Sequence, residues 1–237
     1  MRTDIVRDIK AALRKSGDKK IAEHSRRFFK TGKGEYAEGD KFLGIRVPVL
    51  RKLVRKYRGI TIDEAMMLLI SEFHEERLFS LLSLIELYKK SGDDAQGSIF
   101  KLYLSSTEYI NNWDLIDLSA PHIVGVYLQR RNRAPLYTLA ESESLWERRI
   151  AIMATFHFIR QNDFSDALEI SRLFLKDRED LIHKATGWML REVWKRDTES
   201  AEQFLSKRCR SMPRTTLRYA IEKLPEKKRI RYLKGEI

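Results

Sequence analysis

The stretch Glu76 to Lys90, ERLFSLLSLIELYKK, decides the fold class. Leu78, Leu81, Leu82, Ile85 and Tyr88 recur at three- and four-residue steps, which puts them on one stripe of a helix and not on one face of a strand. The same period returns at Ile150, Met153, Ala154 and His157, and again at Leu181, Ala185, Trp188 and Met189. Glycine (11) and proline (5) are scarce, so the turn chemistry of hairpin-rich sheets is thin. Pro48, Pro135, Pro213 and Pro225 stand where a helix can begin or a turn can close. Pro121 does not, and it is predicted to kink or break the helix that opens near Trp113. The chain reads as all-α.

Working outward, helix starts at Trp113, Trp146 and about Leu181 lie 33 and 35 residues apart. The segments SLWERRIAIM, DLIHKATGWM and SMPRTTLRYA each place polar or basic residues ahead of an apolar run. Paired helices at such a period mark an α-solenoid of HEAT-like repeats, antiparallel pairs stacked into a curved superhelix with a concave face. The spacing alone leaves a generic helical bundle open. One domain is expected over residues 1–237: an N-terminal helical pair in 1–31, a loop over 32–44, and stacked pairs over 45–237. The Gly-rich stretch TGKGEYAEGD, Thr31 to Asp40, is read as that link; it lacks the GK[ST] ending of a phosphate-cradling loop.

With 43% hydrophobic and 34% charged residues among 237, the chain has the composition of a soluble globular protein. The longest clean apolar run, Ala65 to Ile70, falls far short of the roughly 18 residues that span a bilayer. The start, MRTDIVRDIK, lacks the apolar core of a signal peptide, so a cytoplasmic location and no membrane partner are expected. A single cysteine, Cys209, excludes an internal disulfide framework and any multi-cysteine metal site. The 46 Lys+Arg exceed the 34 Asp+Glu, for a net charge of +12. Leu205 to Ile237 holds eleven basic residues against three acidic ones and supplies +8 of it. Such a balance attracts polyanions, nucleic acid first among them.

Three segments carry candidate chemistry. In Asn111 to Asp117 (NNWDLID), Trp113 and Asp117 are helical neighbours, and no Lys or Arg follows before Gln129 to pair with Asp117. A carboxylate beside an indole in a basic protein suits a cation, although Asp114 or Asp117 could simply cap the helix. In Trp146-Glu147-Arg148-Arg149 both arginines open an apolar helix and could reach a phosphate, or Arg148 could pair with Glu147. In Lys184 to Arg191 (KATGWMLR), Lys184, Trp188 and Arg191 share a face. Gly187 within that helix costs about 1 kcal/mol against alanine, so something large approaches the backbone there, either a ligand or another helix. HExxH and GxSxG are absent, the five histidines are scattered, and neither a metal nor a cofactor is implied.

These segments, in this order and spacing, resemble the AlkD family of bacterial DNA alkylation-repair glycosylases. The resemblance runs from about Ala22 to the C-terminus and includes LGIRVPVLRK (Leu43 to Lys52), NNWDLIDLSAP (Asn111 to Pro121), LWERRIAIM (Leu145 to Met153) and KATGWMLREVWK (Lys184 to Lys195). It implies a HEAT-like fold with a concave basic face that binds double-stranded DNA containing alkylated purines. It further implies excision of N7-alkylguanine and N3-alkyladenine, with Asp117 as the carboxylate and Trp113 and Trp188 against the deoxyribose. Arg149 then engages the DNA backbone, Arg191 and Lys184 lie in the same matching motif, Arg148 adjoins Arg149, and Arg46 and Arg51 match the segment that approaches the duplex. Phe28 stands where the family can carry a tyrosine, which preserves stacking but not a hydroxyl contact. A monomer is expected. The alternatives are a non-catalytic HEAT-like nucleic-acid-binding module, motivated by the basic C-terminal region, and a protein-interaction scaffold.

Overall fold

The structure, a computed structural model, describes residues 3–237; its regular secondary structure there is helical, apart from one isolated bridge between Lys41 and Phe73. Its backbone contacts gather into two compact units that meet in sequence at Ser119–Ala120. No helix among the described residues is long and apolar enough to cross a membrane.

The first unit contains α1 (Thr3–Lys15), α2 (Lys19–Phe28), α3 (Val47–Lys56), α4 (Ile62–Leu69), α5 (His74–Lys90), α6 (Asp93–Ser105) and the short α7 (Trp113–Asp117). Helix α5, the one read first from the sequence, is its axle and packs against α1, α3, α4, α6 and α7. The apolar stripe Leu78, Leu81, Leu82, Ile85 and Tyr88 is buried, but so are Phe79 and Leu84 on the other side. A helix enclosed on all sides hides its polar residues too: His74, Glu75, Glu76 and Arg77 are all buried. Each therefore needs a partner, because a buried unpaired charge is costly.

Glu76 lies within 3.6 Å of Lys10 and 3.7 Å of Arg14 on α1. Glu75 accepts the backbone N–H groups of Leu43, Gly44 and Ile45 at 2.8, 2.7 and 3.1 Å, and so pins the chain where it enters α3. Gly44 is required at that point for two reasons. Its φ of 81° is left-handed, and a Cβ there would lie 2.0 Å from the Asp18 carbonyl oxygen. Asp18 in turn caps α2 through the amides of Lys20 and Ile21, at 2.8 and 3.0 Å.

The second unit holds a π-helical turn (Pro121–Gly125), α8 (Val126–Leu128), α9 (Ala134–Ala140), α10 (Leu145–Arg160), α11 (Ser165–Leu173), α12 (Asp180–Trp194), α13 (Thr198–Arg208), α14 (Arg214–Ala220) and α15 (Glu226–Lys234). Pro121 breaks the helix as expected: α7 ends at Asp117 and the next turn is π-helical, since proline cannot donate to the carbonyl four residues back. The other four prolines open α3, α9, α14 and α15. Helix α12 crosses α14 at Gly187, where a Cβ would meet the Thr216 carbonyl oxygen and the Tyr219 Cβ, both at 2.5 Å. A helix crossing therefore explains that glycine.

The repeat read from the sequence has a physical counterpart in the polar links. Glu75 reaches Leu43 over 32 residues, Arg133 reaches Asp166 over 33, Arg148 reaches Asp177 over 29, and Arg191 reaches Glu222 over 31. One helical pair is thus bonded to the next at about the period of the pattern, the nearest-neighbour cohesion of a solenoid.

Glycine at position 44 gives a direct test. Gly44→Ala should lower the unfolding free energy by at least about 2 kcal/mol, since left-handed strain is compounded by a backbone clash. Gly34, also at positive φ (77°) but with nothing within 4 Å of a built Cβ, should lose only about 1 kcal/mol on the same change. Urea unfolding of the two variants checks the difference.

Candidate nucleic-acid interface

In the first unit, Asn112 caps the five-residue α7, its side chain accepting from the amide of Trp113 at 2.8 Å. Asp114 is the buried carboxylate of the segment. It accepts from the Leu115 amide at 2.9 Å and pairs with Nε2 of His74, also at 2.9 Å. On the other side of the ring, Nδ1 of His74 lies 3.5 Å from Asp40, which takes a 2.8 Å hydrogen bond from Arg77 and a longer one, 3.4 Å, from Asn112. The imidazole also lies within an aromatic column. Phe42 stacks on it at 4.7 Å, Phe29 lies against it at 5.0 Å, and Trp113 stacks on Phe29 at 5.2 Å.

Burial alone would push the His74 pKa down, and the Arg77 charge acts in the same sense. The charge and hydrogen bond of Asp114, with the Asp40 carboxylate 3.5 Å from Nδ1, outweigh both and raise it to about 9. His74 is thus an imidazolium at neutral pH, beside the Phe42 and Phe29 rings, which stack on each other at 5.2 Å. Asp40 sits below the ordinary carboxylate range: burial opposes this, but the nearby His74 and the bond from Arg77 prevail.

Asp117 closes α7, one turn beyond Trp113, and is half-buried. Burial, with the charge of Asp117 adding to it, holds the nearby Tyr103 hydroxyl well above its ordinary pKa; that hydroxyl pairs with Ser119 at 2.8 Å. Phe28 is 56% exposed yet not loose, since its ring meets Trp113 edge-on at 5.8 Å and Phe29 at 5.1 Å. Arg46 and Arg51 are exposed at and along α3. Sequence reasoning passed over their neighbours: Lys52, Arg55, Lys56 and Arg58 are exposed as well, and no acidic residue falls between Asp40 and Asp63. That acid-free run was the available signal.

In the second unit, Trp188 is half-buried; its indole N–H donates to Glu192 at 3.1 Å and its ring lies 5.8 Å from Phe156. Arg149 is 4% exposed and donates to the Leu181 carbonyl at 2.5 Å. Arg148 binds Asp177 at 2.7 Å and the carbonyls of Ser142 and Glu143, both at 2.9 Å, so its strong partner is Asp177 and not Glu147. Lys184 pairs with Asp180 at 2.7 Å, and Arg191 with Glu222. His157 meets Gln129 at 2.8 Å, and burial lowers its pKa. Cys209 is buried, and among the described residues no three His, Cys, Asp or Glu side chains gather as metal ligands.

The class is therefore an all-α chain of stacked helix pairs, of the α-solenoid kind, carrying exposed basic helices and four half-buried tryptophans. The sequence model of the DNA alkylation repair enzyme family matches residues 9–224, and the chain belongs to that family. Among solved structures it is similar to a "Predicted DNA alkylation repair enzyme from Enterococcus faecalis", 14% identical, with a TM-score of 0.68 over 89% of this chain and 98% of that one. The two share a fold. No curated protein matches the chain. Its role thus lies in the repair of alkylated DNA.

The histidine network predicts alkaline destabilisation. Because the folded pKa of about 9 lies above the ordinary histidine value of about 6.5, the stabilisation is full below the lower value and is lost as pH rises through the upper one. Unfolding free energy should fall by a few kcal/mol between about pH 6 and pH 10, and His74→Gln should flatten that slope. Urea midpoints across this range provide the measurement.

Proposed function

We propose that the chain is a monofunctional DNA glycosylase that releases cationic alkylated purines, N7-alkylguanine and N3-alkyladenine, from duplex DNA and leaves an abasic site. The observation that supports it is the α7 face in a member of an alkylation-repair family: Trp113 is fixed by Phe29 and Phe28, and Asp117 follows one turn later. A carboxylate at the end of a helix gains nothing from the helix dipole, which favours anions at the start. Its placement suits a cation better than it suits the helix.

Alkylation at N7 or N3 makes the base a good leaving group. The C1′–N bond breaks with both electrons passing to the base, which departs neutral. The sugar acquires oxocarbenium character, water adds to C1′, and a proton is lost to solvent. Such a transition state calls for negative charge and π-density, and little general acid catalysis. Asp117 supplies the charge and can orient the water. The face of Trp113 contributes cation–π and C–H contacts worth about 0.5–2 kcal/mol.

The phosphate contacts are assigned by what each cation would give up. Arg46 and Arg51 on exposed α3 give up least. Lys184 and Arg191 would exchange Asp180 and Glu222, both well exposed, for a phosphate at little cost. Arg149, buried and bonded to the Leu181 carbonyl, would give up most; its contact to the backbone near the lesion rests on the family resemblance alone. Arg148, clamped by the nearly buried Asp177, serves the frame that orients the start of α10.

Two measurements test this reading. Release of free base from duplex DNA carrying N7-methylguanine should fall by at least about a thousandfold in Asp117→Asn, with the melting temperature unchanged. Equal release by both proteins would remove Asp117 from the mechanism. Binding with no release by either would favour a non-catalytic DNA-binding module, for which the basic Leu205–Ile237 region is the motivating observation. Affinity should also fall steeply with salt, and replacing Arg51 and Arg55 by Gln should reduce the log–log slope by about two. An unchanged slope would take α3 off the DNA.

A further inference from the structure

Trp113 is tied to the buried histidine by three separate routes. The residue before it, Asn112, caps α7 and donates to Asp40, the carboxylate beside His74 Nδ1. The residue after it, Asp114, binds His74 Nε2 at 2.9 Å. Its own ring stacks on Phe29 at 5.2 Å, and Phe29 lies against the imidazole at 5.0 Å. A helix of five residues has almost no intrinsic stability, so tertiary contacts must set its angle. Here both flanks and the ring itself converge on one side chain.

We infer that His74 is the positioning residue for Trp113, its cation clamping Asp114 and Asp40 so that the indole is held in the plane it offers to a ligand. The inference deepens the glycosylase reading and rests on it for the role of Trp113. His74 touches no substrate in this account. The titratable and charged groups that face it are Asp114 from α7, Asp40 from the loop ahead of α3, and Arg77 from α5 itself. Loss of the ring's proton removes the charge that attracts both carboxylates and leaves a single N–H to bond Asp114, which loosens the hold on α7.

The test reads Trp113 directly, in protein without DNA, as the difference in emission between wild type and Trp113→Phe. In wild type this emission should shift with pH, with a midpoint near the His74 value of about 9, while far-UV circular dichroism stays constant. Asp114→Asn keeps His74 and the shape of its partner but removes the charge, so the midpoint should move down by more than about one pH unit. At about pH 7.5, His74→Gln should slow single-turnover base release about tenfold while affinity for undamaged duplex stays within about twofold. A pH-independent Trp113 emission, or the same midpoint in Asp114→Asn, would overturn the inference. So would unaltered release by a folded His74→Gln. If wild type releases no base at all, the glycosylase reading fails, and the emission titration alone still decides whether His74 positions Trp113.

Discussion

The first unit depends on a charge it has buried. Placing an imidazolium in the interior costs several kcal/mol unless its partners are close and well aimed. Here two cations, His74 and Arg77, meet two anions, Asp40 and Asp114, and the Phe42 and Phe29 rings lie beside the imidazolium. The group is neutral as a whole and unbalanced if any member leaves, so its members act as a unit. It joins the loop ahead of α3, the start of α5 and α7, three segments far apart in the chain. With Glu75 holding residues 43–45 and Glu76 drawing in α1, the first turn of α5 organises nearly everything around it.

The second unit is assembled by other means. Its links are single ion pairs, each about one helical pair long, and a backbone-to-backbone approach at Gly187. Arg133 shows how much one residue can do there. It binds Asp163 and Asp166, covers the Phe158 ring at 4.0 Å, and so fastens α9 to α10 and α11. Tyr137 adds a bond to Asp166, and burial followed by that bond raises its hydroxyl pKa to about 12. In this unit α10 packs against the π-helical turn, α9, α11 and α12, and α12 carries the packing on to α13 and α14.

What was legible in the sequence was local. Apolar spacing gave the helices, four prolines gave helix starts, and Pro121 gave a break, because each effect acts within one turn of its cause. The stripe on α5 understated its burial, since a pattern reports the face that must be hidden and cannot count what surrounds the other faces. The histidine network was not legible at all. The partners of His74 lie 34 and 40 residues away, and nothing in the residues beside it announces them. The cap on α7, which Asp114 or Asp117 could have supplied, comes from Asn112; Asp114 is drawn inward instead. The partner of Arg148 was sought next door in Glu147 and is found 29 residues on. Gly187 had two readings until the α12–α14 crossing chose one. For the candidate site, the tryptophans and Asp117 stood out as residue types, whereas what holds Trp113 in place did not.

The long reach of the His74–Asp114 pair also sets an order of events during synthesis. A chain leaving the ribosome presents α5 some forty residues before Asp114 appears, and domains settle as units while they emerge. During that interval His74 has only Asp40, and the aromatic column ends at Phe29 with nothing stacked beyond it. The first unit therefore cannot close until the α7 segment is released. Its last-made residues, Asn112 to Asp117, are the ones that lock it, so a nascent chain acquires a finished first unit and a seated Trp113 in the same step.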